Sequence, residues 1–157
     1  MNSILMVCLG NICRSPLAEG IMQDKLTKAG LYQIRVHSAG TADFHVGETP
    51  DPRSINNALK HGIDIRSHRG RQFKTEDFSN YDIIYVMDES NYTNVIALTS
   101  NADNQAKVKL ILDVIEGNNR VSVPDPYFGG EEGFEAVFQM LDRACEIVLK
   151  KIQQPKS

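Results

Sequence analysis

A cysteine, five residues and an arginine stand near the start of the chain: Cys8, Leu9, Gly10, Asn11, Ile12, Cys13 and Arg14, followed by Ser15 and Pro16. The apolar run before them ends at Cys8, and a helical pattern begins just after them. Backbone N–H groups of a tight loop form a nest for an oxyanion, and a helix N-terminus adds positive potential. An arginine at that point can grip two phosphate oxygens in a bidentate fork. The same field favours the thiolate form of Cys8, and Ser15 can donate a hydrogen bond to its sulfur. Gly10 is expected to allow unusual backbone angles in this turn, and Asn11 tolerates positive φ. Types and spacing describe a nucleophile on the floor of a phosphate cradle.

A thiolate that attacks a phosphate monoester must expel an alkoxide or phenoxide. A general acid on the opposite side speeds that departure by about 10²–10⁴-fold. The stretch DPYFGG at 125–130 offers Asp125. Taken alone, Asp-Pro reads equally well as a turn initiator. Tyr127, Phe128 and Phe44 could wall a pocket or pack their loops against the core. Cys13 has two readings. It could be a small filler, or a thiol that traps an oxidised Cys8 as a disulfide. Arg66, Arg69 and Arg71 read as solvated surface, and Cys145 as core.

The elements have to bring these groups together. Residues 3–9, SILMVCL, form a continuous apolar run, as expected of a strand buried on both faces. Ser15 is the expected N-cap of the next helix, Pro16 its first residue and Gly30 its end. Strands are expected at 32–40, 81–88 and 106–114, and helices at 52–63 and 89–98. A polar loop is expected at 99–105 and another loop at 123–133. Phe134, Val137, Phe138, Leu141, Cys145, Val148 and Ile152 share one face of a final helix. The alternation predicts a single α/β domain over 1–157. Its four-stranded parallel sheet carries helices on both faces, with the phosphate loop between first strand and first helix. Ligands bind such sheets at the carboxyl ends of the strands, where Cys8, Ser38 and Asp88 fall.

Composition narrows the alternatives. The chain has 157 residues and a formal net charge of −3, with no global attraction for nucleic acid or anionic membrane. Three cysteines do not make a secreted disulfide framework. No Cys/His ligand spacing appears, so neither metal nor cofactor is expected. The amino terminus shows no basic leader and no apolar run of membrane-spanning length, which gives a cytoplasmic expectation.

VCLGNICRSPLAE resembles the signature of the low-molecular-weight protein tyrosine phosphatases. HSAGT, VGETPDPRS, GID with SHRGRQ, DIIYVMDESN and VPDPYFGG resemble the family's other blocks, in the family's order. The resemblance implies hydrolysis of phosphotyrosine and small aryl phosphates through a Cys8 phosphoenzyme. Arg14 then binds phosphate, and Asp125 acts first as acid and then as base. It implies that Leu9 to Cys13 and Ser15 form the phosphate loop, that Asn11 bonds to Ser38 with support from His68, and that Phe44 and Tyr127 flank the substrate ring. The implied partners are phosphotyrosine-bearing proteins, with phosphate or vanadate as ligands. Family members often carry tryptophan where Phe44 stands and tyrosine where Phe128 stands. An arsenate reductase would need further thiols between Cys13 and Cys145. An arginine phosphatase tends to place threonine where Ile12 stands. A non-catalytic phosphoprotein-binding module would need the loop but not Asp125.

Overall fold

Six consecutive buried residues, Ser3–Cys8, form the central strand β1 of a computed structural model describing residues 1–115, 117, 119–127 and 129–155. The other elements are α1 (Arg14–Lys28), β2 (Arg35–Gly40), α2 (Pro52–Lys60), α3 (Asp77–Asn80) and β3 (Ile83–Val86). After them come α4 (Glu89–Ile96), α5 (Ala102–Ala106), β4 (Val108–Leu110), a 3₁₀ turn (Ile111–Val114) and α6 (Glu131–Gln153). The sheet is parallel throughout, in the order β2-β1-β3-β4. Strand periodicity divides the core. Ile4, Met6 and Cys8 join α1 and α6 on one face, while Leu5 and Val7 meet Phe73, Phe78 and Val95 on the other. Among the described residues, no helix is long and apolar enough to cross a membrane.

Several boundaries differ from the expectations. The first helix starts at Arg14, with Cys13 rather than Ser15 at its N-cap and no side-chain cap bond. Ser15 cannot cap it, because its hydroxyl is used by Cys8 and Asn11. The second strand begins at Arg35, not 32. The fourth shortens to three residues, since it is an edge strand pairing only with the short β3 before the chain turns into the 3₁₀ segment. The polar stretch at 99–105 holds α5, capped by Asn101, and α3 was not expected. Gly30, at φ 75°, does follow the end of α1.

The end of β2 lies against the phosphate loop. A Cβ on Gly40 would sit 2.7 Å from the Leu9 carbonyl oxygen and 3.1 Å from the Asn11 nitrogen. Backbone atoms cannot rotate away, so Gly40→Ala is expected to lower stability by about 1–3 kcal/mol and to weaken phosphate binding. Thermal unfolding and phosphate titration check both effects.

Candidate active site

The loop from Cys8 to Arg14 is held open from outside. Carbonyl oxygens of Cys8, Leu9 and Ile12 accept from the N–H groups of Thr41, Ala42 and Asp51 at 2.8–3.0 Å, and Ser54 Oγ donates to Cys13 O at 3.1 Å. In a trans peptide the N–H points opposite to the C=O, so these bonds turn the N–H groups of Leu9, Gly10, Cys13 and Arg14 toward the loop's interior. Asn11 supplies the left-handed bend at φ 57°. Gly10 is not the residue at positive φ. It leaves room for the His45 ring, which would have to shift for a Cβ there, 3.0 Å away.

Cys8 is buried, and its sulfur lies 3.0 Å from Ser15 Oγ and accepts from Ser15 N–H at 3.4 Å. Asn11 Nδ2 donates to Ser15 Oγ at 2.7 Å and to Ser38 Oγ at 3.0 Å. The Arg71 N–H donates to Asn11 Oδ1 at 3.0 Å, which fixes the amide's orientation. Because Oδ1 can only accept, His68 Nε2, 3.1 Å away, is the donor to it. Ser38 Oγ in turn donates to Glu19 Oε1 at 2.5 Å. Burial raises the Glu19 pKa, and burial with the nearby Arg69 and Arg71 lowers that of His68. The structure thus brings Asn11, Ser38 and His68 together. Glu19, half-buried behind them, had no signal in the sequence beyond its place on the helix.

Arg14 is almost fully buried. Its Nη1 donates to Asp88 Oδ2 at 2.6 Å and to Val123 O at 3.0 Å. Among the described residues no hydrogen bond is made by Nε or Nη2, and Nη2 lies 3.7 Å from Asp125 Oδ2. Burial works against the guanidinium's charge, but Cys8, Asp88 and Asp125 outweigh it and raise the pKa. Asp88 is therefore a site residue that its position past the third strand hinted at without giving it a role.

One pocket of about 220 Å³ has Cys8 and Arg14 among its lining residues, together with Leu9, Ile12, Cys13 and Asp125. Phe44 and Tyr127, both exposed, stand at its rim with His45, which the sequence did not single out. Phe128 lies outside the described residues. Burial, then the charges of Asp51 and Cys8, pushes the Cys13 thiol's pKa up. The arginines of the 66–71 stretch divide. Arg66 pairs with Asp64 at the surface, but Arg71 is half-buried on Asp77 at 3.0–3.1 Å and so is not solvated surface. Asp77 is itself buried and needs that partner.

A buried sulfur, inward-turned amides, a guanidinium and a carboxylate thus meet at one pocket at the carboxyl ends of the strands. A model of the family "Low molecular weight phosphotyrosine protein phosphatase" matches residues 3–157. Low molecular weight phosphotyrosine protein phosphatase 1 of Drosophila melanogaster is 40% identical over 153 residues, covering 96% of this chain and 97% of its own. A protein tyrosine phosphatase from Entamoeba histolytica, solved with Hepes in the active site, superposes with a TM-score of 0.90 at 34% identity, over 98% of this chain and 97% of that one. Wzb of Vibrio vulnificus, solved with benzylphosphonate, has a TM-score of 0.83 at 29% identity, over 96% and 98%. The chain belongs to the low molecular weight phosphotyrosine protein phosphatase family and is a protein-tyrosine phosphatase, a hydrolase.

Proposed function

We propose that the chain works as one domain that dephosphorylates tyrosine residues of proteins, with Cys8, Arg14 and Asp125 as its catalytic residues. The Cys8 thiolate attacks phosphorus, and the P–O bond to the tyrosyl oxygen breaks as Asp125 gives that oxygen its proton. Asp125 then takes a proton from the water that attacks the phosphocysteine, releasing phosphate and the Cys8 thiolate. The loop amides and Arg14 carry the charge of the transferring group throughout. The observation that carries this reading is the approach of Arg14 Nη2 to Asp125 at 3.7 Å while Arg14 lines the same pocket as Cys8. That geometry supports a reading in which acid and nucleophile work from opposite sides of one phosphate. Three free cysteines suit a reducing cytoplasm, where we place its work.

Phe44 and Tyr127 support a preference for aryl monoesters, because an aromatic ring spans the depth from rim to Cys8 and stacks as it does so. Phosphoserine holds its phosphate closer to the peptide and falls short. The test is a kcat/KM series over aryl phosphates of graded leaving-group pKa, beside a phosphoserine peptide. Asp125→Ala is expected to cost about 10²-fold for phenyl phosphate and far less for a dinitrophenyl ester that departs unaided. Equal efficiency on phosphoserine, or an Asp125→Ala loss indifferent to the leaving group, would defeat the reading.

Cys13 lines the same pocket as Cys8, and its raised pKa keeps it protonated. Peroxide is therefore expected to oxidise the Cys8 thiolate to a sulfenic acid. Condensation with the Cys13 thiol then releases water and leaves a Cys8–Cys13 disulfide that a dithiol reduces. Cys13→Ser should keep activity but lose recovery. Mass spectrometry that finds no peptide linked through these two residues rules the disulfide out.

A further inference from the structure

Arg53, on the first turn of α2, is not among the residues lining the pocket, yet it joins the two loops that carry the chemistry. Its Nη2 donates to the Tyr127 carbonyl at 2.8 Å and its Nη1 to the Gly129 carbonyl at 3.0 Å. The same guanidinium is clamped on Asp51, Nε to Oδ1 at 3.0 Å and Nη2 to Oδ2 at 2.9 Å. Asp51 N–H donates to Ile12 O, inside the phosphate loop, at 2.8 Å. The guanidinium carbon also lies 4.8 Å from the Phe134 ring centre and 5.6 Å from that of Tyr127. Four of its five N–H groups are thus engaged, which leaves little for docking a substrate anion.

The acid needs such a tether. Among the described residues, the Asp125 carboxylate is held by the Tyr127 N–H at 3.0 Å and approached by Arg14 at 3.7 Å, and it is exposed. Whatever fixes the peptide at Tyr127 fixes the carboxylate. Given the assignment of Asp125 as the acid, we propose that Arg53 is a positioning residue that holds the acid loop at a set distance from the phosphate loop, through Asp51 on one side and the Tyr127 and Gly129 carbonyls on the other. Without it the thiolate and Arg14 keep their places, and only the proton donor drifts.

The measurement is kcat/KM for Arg53→Ala, Arg53→Lys, Asp125→Ala and the double variant Arg53→Ala/Asp125→Ala. Phenyl, nitrophenyl and dinitrophenyl phosphates serve as substrates, and inhibition by inorganic phosphate is measured in parallel. Arg53→Ala is expected to lose about 10-fold on phenyl phosphate, since displacement of a catalytic group by an ångström costs up to about 10²-fold. The loss should shrink below about 3-fold for the dinitrophenyl ester, which has little use for an acid. Phosphate inhibition should stay within about 2-fold, because the cradle is intact. In the Asp125→Ala background the Arg53 substitution should add almost nothing, the coupling expected of residues acting through one another. Arg53→Lys, whose ammonium cannot span Asp51 and both carbonyls, should fall between, and it carries the same test if the alanine variant does not fold. A loss uniform across leaving groups, a parallel loss of phosphate affinity, or full multiplicativity with Asp125→Ala overturns the proposal. If Asp125→Ala alone is indifferent to the leaving group, the acid assignment has failed. If it is not and Arg53→Ala is, the tether alone has failed.

Discussion

Cys8→Ser should abolish turnover while leaving inorganic phosphate bound about as well as before. A serine hydroxyl is a poor nucleophile without a base, and among the described residues no base is hydrogen-bonded at the sulfur's position to activate it. Ser15, the near neighbour at 3.0 Å, is itself a hydroxyl. The loss should be on the order of 10⁴-fold or more, as when the nucleophile of a covalent mechanism is removed. In the proposed mechanism binding depends on different atoms, namely the inward-turned amides and the Nε–Nη2 edge of Arg14. Those remain in the variant. Aryl phosphate turnover and phosphate titration by calorimetry separate the two quantities. Appreciable turnover by Cys8→Ser would sink the covalent mechanism.

Arg14→Lys is expected to fail on both counts, with turnover down about 10³-fold and phosphate affinity reduced. The guanidinium holds Asp88 at 2.6 Å and Val123 O at 3.0 Å from one nitrogen, and in the proposed mechanism it grips phosphate from its other edge. A lysine ammonium is a single point and cannot hold Asp88 and also fork two phosphate oxygens. If it stays on Asp88, the phosphate loses its grip. If it turns to the phosphate, the Val123 carbonyl and the Asp88 carboxylate are left without a donor. Retention of wild-type kcat/KM and phosphate inhibition would show that positive charge alone suffices at this position.

The chemistry at 8–15 was legible because it is local. A buried apolar run, a short loop and a helix start follow one another along the chain, so residue order alone places a thiol and a guanidinium over one anion site. The final helix was legible for a similar reason, since α6 buries Phe134, Val137, Phe138, Leu141, Cys145 and Val148 on one side. Local reading put the Ser15 hydroxyl on the Cys8 sulfur, where it lies at 3.0 Å, but also made Ser15 the helix cap, a place that Cys13 takes, and it misjudged the surroundings of Arg71. A serine before a proline looks like a helix cap, and an arginine in a polar stretch looks solvated, until the folded backbone turns Cys8 and Asn11 onto the one and the buried Asp77 onto the other.

What the residues determined by themselves was the inventory: a cysteine and an arginine at a strand-to-helix turn, an aspartate in a proline-containing loop, and a parallel sheet, which the structure joins in one pocket. The tertiary structure decided how that inventory is held. Asp88 meets Arg14 from 74 positions away, Glu19 and His68 close around Asn11 and Ser38, and Arg53 joins the loop of Asp125 to that of Ile12. The physical reason is that hydrogen bonds to buried charges and carbonyls are set by direction and distance in space. No periodicity along the chain encodes them, so they exist only once the parallel sheet has brought its strand ends together.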